Sequence, residues 1–274
     1  MSPSTESTTA QPPGRQAVLT AVYGGHAERL DETFTSFAVN PFLELHAFVF
    51  GERLPERQVA GIQYHLVKPD GTFSQPYREV NYRRWEVMDE LGTDHVLVVD
   101  ALDVLCLQPM PSLPEVLKGL PMAAAVEHGG GRFMFGPQYT NAYLNAGVSF
   151  WDVRASATIR AQILARGRTR FRSRTDDQLS FNEVLHHHYE QLRLLTHHFN
   201  CRGLLERRVR GWPYLRSLDG VYIYHTDDAK IARTMLPVKA RTELPGLEPD
   251  HGPLTRWQQF WRTVGNRFRP HQIR

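Results

Sequence analysis

Residues 95–99, His-Val-Leu-Val-Val, set four apolar side chains in a row with no polar residue between them. A strand with one wet face alternates apolar and polar side chains. A strand without alternation belongs to a sheet covered on both faces. This feature directs the chain toward helices packed on both sides of a largely parallel sheet. The run then ends in Asp100-Ala101-Leu102-Asp103. A carboxylate at the end of a buried strand is costly unless it is paired or binds a cation.

Other segments fit the same architecture. "QAVLTAVYGG" (16–25) reads as a first strand ending at a glycine turn, 27–39 as a helix, and "ELHAFVFGE" (44–52) as a second strand. "IQYHLVKPDG" (62–71) is a third strand closed by a Pro-Asp-Gly turn, and 75–92 a helix with Gly92 as its C-cap. After 95–99 come "LPMAAAVEH" (120–128), "TNAYLNAGVSFWDVR" (140–154), two helices within 155–192, and "GVYIYHTDD" (220–228), which closes the core. Strands alternating with helices make an α/β fold with a mostly parallel sheet, which binds ligands at the carboxyl ends of its strands. Asp100 and Asp103 stand at such an end. There is no internal repeat.

Composition excludes several classes. The chain has 274 residues, 41% hydrophobic and 22% charged, with a net charge of only +3, which argues for no nucleic-acid partner. Its two cysteines make no disulfide framework, and a reducing cytosol is the expected compartment. No apolar run approaches the roughly 18 residues of a membrane span. The Ser/Thr/Pro-rich residues 1–15 lack the marks of a signal peptide and are expected to be a disordered lead-in.

Five constellations carry chemistry. In the helix expected at 75–92, Tyr77, Val80, Val87, Met88 and Leu91 share one face; Arg84 falls within it and Arg83 at its flank. An arginine directed at a core needs an anion, so it either forms a buried salt bridge or binds a ligand. The acidic pair reads as a solvated turn, a helix N-cap, or a site for a hard divalent cation. In "YLNAGVSFWDV" (143–153), Gly147 permits close backbone approach and Asn145 can read hydroxyls, or the two mark a β-bulge. "TDDQLSFNEVL" (175–185) starts a helix capped by Thr175 or Asp176, which leaves Asp177 and Gln178 unexplained, and "YIYHTDDAK" (222–230) ends a strand in His225 with Lys230 close behind.

In order and spacing, "VLTAVY", the helix arginine, "VLVVDALDVL", "YLNAGVSFW", "DDQLSFNEVL" and "IYHTDDAK" resemble the retaining nucleotide-sugar glycosyltransferases of the glycogenin and bacterial lipopolysaccharide galactosyltransferase family. The likeness spans about residues 16–232. It implies a GT-A, Rossmann-like fold in a single domain at 16–240, followed by a C-terminal extension at 241–274. It further implies a uracil-ribose cradle at Thr20, Ala21 and Tyr23, and a donor-contacting arginine at Arg84 or Arg83. Asp100-Ala101 and Asp103 match the acidic motif that holds the metal and the ribose, and His225 completes the metal shell. Asn145 and Gly147 match the segment facing the donor sugar, Asp177-Gln178 the pair lining its reactive face, and Lys230 the lysine that meets the diphosphate. The implied cation is Mn²⁺ or Mg²⁺, the donor UDP-glucose or UDP-galactose, and the acceptor a glycan, lipid-linked sugar, peptide or natural product.

Two departures stand out. The family's acidic motif is usually D-x-D; the D-x-x-D here is closer to the glycosyltransferase domains joined to procollagen lysyl hydroxylases. Residues i and i+3 of a strand point to opposite sides, so the chain must turn at Ala101-Leu102 for the carboxylates to converge. The family's histidine is usually followed by a glycine and then a lysine six residues on, whereas Lys230 comes five after His225 with no such glycine.

Retention is open to a covalent intermediate or to front-face attack, and Gln178 is a poor nucleophile. Glu127 ends the strand "MAAAVE" near the sugar or acceptor, or is an ordinary rim carboxylate. The histidines at 186–188 and 197–198 read as a solvated face. Two alternatives to a transferase are a non-catalytic nucleotide-sugar-binding protein on the same fold and a sugar nucleotidyltransferase. In 253–274, Trp257, Phe260, Trp261, Val264 and Phe268 form one helical face rimmed by Arg256, Arg262, Arg267, Arg269 and Arg274. Such a helix suits peripheral contact with an anionic membrane, or packing onto the domain or a second subunit.

Overall fold

A computed structural model describes residues 14–30, 32–73, 75–126, 143–169, 176–202, 208–209, 212–213 and 220–225. Lys230, Glu127, Thr175, most of the lead-in and the whole tail at 253–274 lie outside the described residues.

The central sheet has seven strands. They are β1 (Gln16–Tyr23), β2 (Leu43–Phe50), β3 (Ile62–Val67), β4 (His95–Val99), β6 (Met122–Val126), β7 (Leu144–Asp152) and β8 (Leu192–Leu195), in the order β3-β2-β1-β4-β7-β6-β8. β7 runs antiparallel to β4 and β6, and the other pairings are parallel. Both faces are covered, as the unalternated run at 95–99 requires: Val96, Leu97 and Val98 are 0% exposed. Val96 and Val98 join a cluster with Trp85, Met88, Ile163 and Phe181. Leu97 and Val99 join one with Phe34, Phe37, Leu113 and Ile223. Each such side chain contributes about 1.5–3 kcal/mol by leaving water.

Several elements differ from expectation. The segment at 27–39 forms 3₁₀ turns at Gly24–Arg29 and Ser36–Val39 around a single α-helical turn, α1 (Glu32–Thr35). Threonines and β-branched residues make "DETFTSFAV" a weak helix former. The helix at 75–92 is α only over α2 (Pro76–Arg83). Trp85 and Glu86 donate to the carbonyls of Tyr82 and Arg83, and a 3₁₀ segment, Val87–Leu91, follows. Gly92 ends it in the left-handed region, φ 59°, where an L side chain is strained. Downstream, α3 (Leu113–Leu117) carries a Ser112–Glu115 capping box, followed by α4 (Ala157–Thr169) and α5 (Asp176–His187).

The strand within 220–228 is β12 (Ile223–His225), and it does not extend the central sheet. It pairs antiparallel with β5 (Val104–Cys106) and parallel with β9 (Cys201–Arg202) in a separate three-stranded sheet. β5 follows directly on the acidic turn, so the chain leaves the central sheet at Val99 and enters the small one at Val104. A two-residue ladder between β10 (Arg208–Val209) and β11 (Trp212–Pro213) completes the strands among the described residues.

Candidate active site

The site lies where the strand order reverses, between β1 and β4, at their carboxyl ends. This is the position at which open α/β sheets leave a crevice. Because β7 is antiparallel, it brings its amino end to the same edge: the Asp100 amide donates to the Gly147 carbonyl at 2.8 Å. The chain turns over 101–103, as convergence of the acidic pair demands. Pairing of His225 with Val104 then seats the imidazole beside that turn.

One ligand atom each from Asp100, Asp103 and His225 lies within 4.8 Å of the others. His225 Nε2 stands 3.6 Å from Asp100 Oδ2 and 3.8 Å from Asp103 Oδ2, beyond hydrogen-bond reach. Two carboxylates and one imidazole around a gap of that size suit a hard or borderline divalent cation such as Mn²⁺ or Mg²⁺. Gly147 makes this approach possible. A Cβ there would sit 2.3 Å from Asp100 Oδ2 and 2.6 Å from His225 Cε1.

Arg84 is buried and bridges two acids, donating Nη1 to Asp100 Oδ1 at 2.7 Å and Nη2 to Asp177 Oδ2 at 3.0 Å. Its guanidinium lies over the Trp85 ring, and its buried Nε has no hydrogen-bond partner among the described residues. Arg83 faces other acids, Glu79, Glu86 and Asp70. Of the two arginines, Arg84 is therefore the one that reaches the acidic pair. Burial pushes the Asp177 carboxyl up to about 6; Arg84 holds it down, and Asp100 adds to the upward push.

No protein-family model matches the chain, and no curated protein matches it in sequence. Solved structures do. A crystal structure of an active-site mutant of LgtC superposes with a TM-score of 0.54 at 15% identity, covering 84% of this chain and 98% of the other. A structure of the galactosyltransferase LgtC with donor and acceptor sugar analogues gives 0.53 at 16% identity, covering 90% and 99%. The fold is GT-A. At these identities the likeness establishes the architecture, and the chemistry must be argued from the residues.

The remaining predicted residues take varied places on the GT-A edge. Ala21 and Tyr23 are half-buried at the end of β1, with Tyr23 stacked on His26, and Ala101 is half-buried in the acidic turn. Thr20 lies beneath the edge: it is fully buried and donates its hydroxyl to the Val99 carbonyl at 3.0 Å. Asn145 is likewise buried, 1% exposed. Its Oδ1 accepts from the Gly147 amide at 2.9 Å, and its Nδ2 donates to Gln178 Oε1 at 3.3 Å. The register slip between β6 and β7 at Ala124/Val126 shows that a β-irregularity is present as well.

Two residues of this neighbourhood escape a reading of the sequence. Asn182 accepts from the Leu144 amide and donates to its carbonyl, which pins the start of β7. The only signal is its place four residues after Gln178, on the same helix face. Asn200 contacts both Asn145 and His225, and "HHFNCR" carries no periodicity that marks it.

Proposed function

We propose that this chain is a metal-dependent retaining glycosyltransferase. It would move a hexose from a nucleotide sugar, UDP-glucose or UDP-galactose, to a glycan, lipid-linked sugar, peptide or natural-product acceptor, with residues 16–240 as the catalytic domain. The observation that carries this reading is the convergence of Asp100, Asp103 and His225 at the switch point of a GT-A sheet. Asp100, Asp103 and His225 would hold the cation, which when bound neutralises the diphosphate of the departing nucleotide.

The chain's other residues arrange the donor. Ala21, Tyr23 and Ala101 form the nucleoside side, and Lys230 supplies a further cation for the diphosphate. Arg84 holds Asp100 and Asp177 in fixed orientation and contributes positive charge where negative charge develops. Gln178 Oε1 accepts from Asn145 Nδ2 and from the Ala146 amide, both at 3.3 Å. With both carbonyl lone pairs engaged, that oxygen is poorly placed to attack the anomeric carbon. This favours front-face substitution, in which the leaving phosphate takes the acceptor proton.

A panel of nucleotide sugars assayed for slow hydrolysis, with Mn²⁺ and with chelator, tests the proposal. Metal-dependent release of UDP from a UDP-hexose is expected. Tight binding of the donor without release would instead assign the chain to the binding proteins.

A further inference from the structure

We propose that Asn200 is a positioning residue that fixes the tautomer of His225, so that Nε2 presents its lone pair to a cation between Asp100 and Asp103. The inference rests on the metal reading above and extends it to a residue outside the ligand set.

Two backbone amides, which can only donate, fix the orientation of the side-chain amides beside His225. The Gly147 N–H lies 2.9 Å from Asn145 Oδ1, and the Ala146 N–H 3.3 Å from Gln178 Oε1. These donors settle which end of each side-chain amide is oxygen. Asn145 Nδ2 is thereby left to donate to Gln178, and Asn145 Oδ1 to accept again from Asn200 Nδ2 at 3.2 Å. Asn200, its nitrogen so engaged, turns Oδ1 toward His225 Nδ1 at 3.2 Å. A carbonyl oxygen can only accept, so Nδ1 carries the proton and Nε2 the lone pair. Both residues are buried, His225 to 1% and Asn200 to 5% exposure, so water does not compete for Nδ1.

The opposite tautomer would give Nε2 a proton facing the two carboxylates and leave Asn200 Oδ1 against an Nδ1 lone pair. That arrangement would satisfy the acids without a cation. The amide chain works against it. Groups that orient a ligating histidine through its second nitrogen typically change metal affinity by about 10–100-fold when removed.

The test uses the full chain. In metal-free protein at about pH 8, where an ordinary imidazole is neutral, nitrogen-15 shifts of the His225 ring should report Nδ1–H, with the signal assigned by its absence in His225→Ala. Calorimetry with Mn²⁺ should show a single site. Asn200→Ala should raise its dissociation constant about 10–100-fold and release the tautomer preference. Asn200→Asp keeps an acceptor for Nδ1–H but loses the donor to Asn145 Oδ1, so it should restore the tautomer and only part of the affinity. Unchanged affinity and tautomer in Asn200→Ala would overturn the role of Asn200 while leaving the metal site standing. A tautomer preference lost in the aspartate variant as fully as in the alanine one would reduce Asn200 to packing. Wild-type protein that takes up no Mn²⁺ would instead sink the metal reading itself.

Discussion

Arg84 forms the buried salt bridge that was one of its two readings, and its partners Asp100 and Asp177 belong to the candidate site. Arg84→Met should therefore lower stability as well as donor binding. Removing one partner of a buried pair costs about 3–5 kcal/mol. Uptake of a proton by Asp177, already pushed upward by burial, should reduce the loss to about 2–3 kcal/mol, as read from urea midpoints. Unchanged stability would show that the acids do not need the guanidinium. Gly147 offers a cleaner separation. A Cβ at 2.3 Å from Asp100 Oδ2 must displace a proposed ligand, so Gly147→Ala should weaken Mn²⁺ binding by about tenfold or more. Calorimetry checks this, and near-normal affinity would contradict the close-packing account. The acidic pair of the proposed ligand set was legible because acids at the end of an apolar strand are conspicuous. Asn145 pointed to the right neighbourhood, and Asn200 was illegible because its partners come from β7 and β12, remote in sequence.

Elements were legible where their periodicity was strong. The strand at 95–99 could be read from four residues, whereas β5, β8 and β9 have two to four residues each and too little pattern to detect. Helix α2 yields to 3₁₀ geometry at Trp85 without a glycine or proline, because tertiary contacts outweigh local propensity. The edge pair β2–β3 carries a pH response of its own. His46 Nδ1 and His65 Nε2 lie 2.9 Å apart. Burial lowers the pKa of His46, with repulsion from His65 adding to it, and burial lowers that of His65. The unfolded chain then binds protons more readily than the folded one. Stability from this pair is full above the ordinary histidine value of about 6.5, and it falls as pH drops from there through the depressed folded values. Urea midpoints measured down the pH scale should decline across that window, and His65→Gln should flatten the decline. A variant with the wild-type slope would place the sensitivity elsewhere.

On the scale of the whole molecule, the α/β class and the coverage of both sheet faces followed from unalternated apolar runs. The second sheet did not, because nothing local in "VYIYH" tells a strand which sheet to join. That sheet matters for function: the acidic turn bridges it to the central one, so the three proposed ligands come from both sides of a junction. Among the described residues, no helix is long and apolar enough to cross a membrane. All three proposed ligands lie at or before His225, so a chain lacking 250–274 should keep donor hydrolysis near the full-length rate. Cosedimentation with anionic liposomes in low salt then tests the basic aromatic tail. Loss of sedimentation on truncation supports a membrane-surface helix, and a drop in stability or a changed oligomeric state supports packing instead.

The central claim is that Asp103, three residues beyond Asp100 where the resembled family usually has two, shares one cation with Asp100 and His225. Hydrolysis of the preferred UDP-hexose by Asp103→Ala at limiting Mn²⁺ measures it most directly. Most turnover should be lost, with partial recovery as Mn²⁺ is raised and with a melting temperature close to that of the wild type. A variant that turns over at the wild-type rate when Mn²⁺ is limiting would contradict the claim.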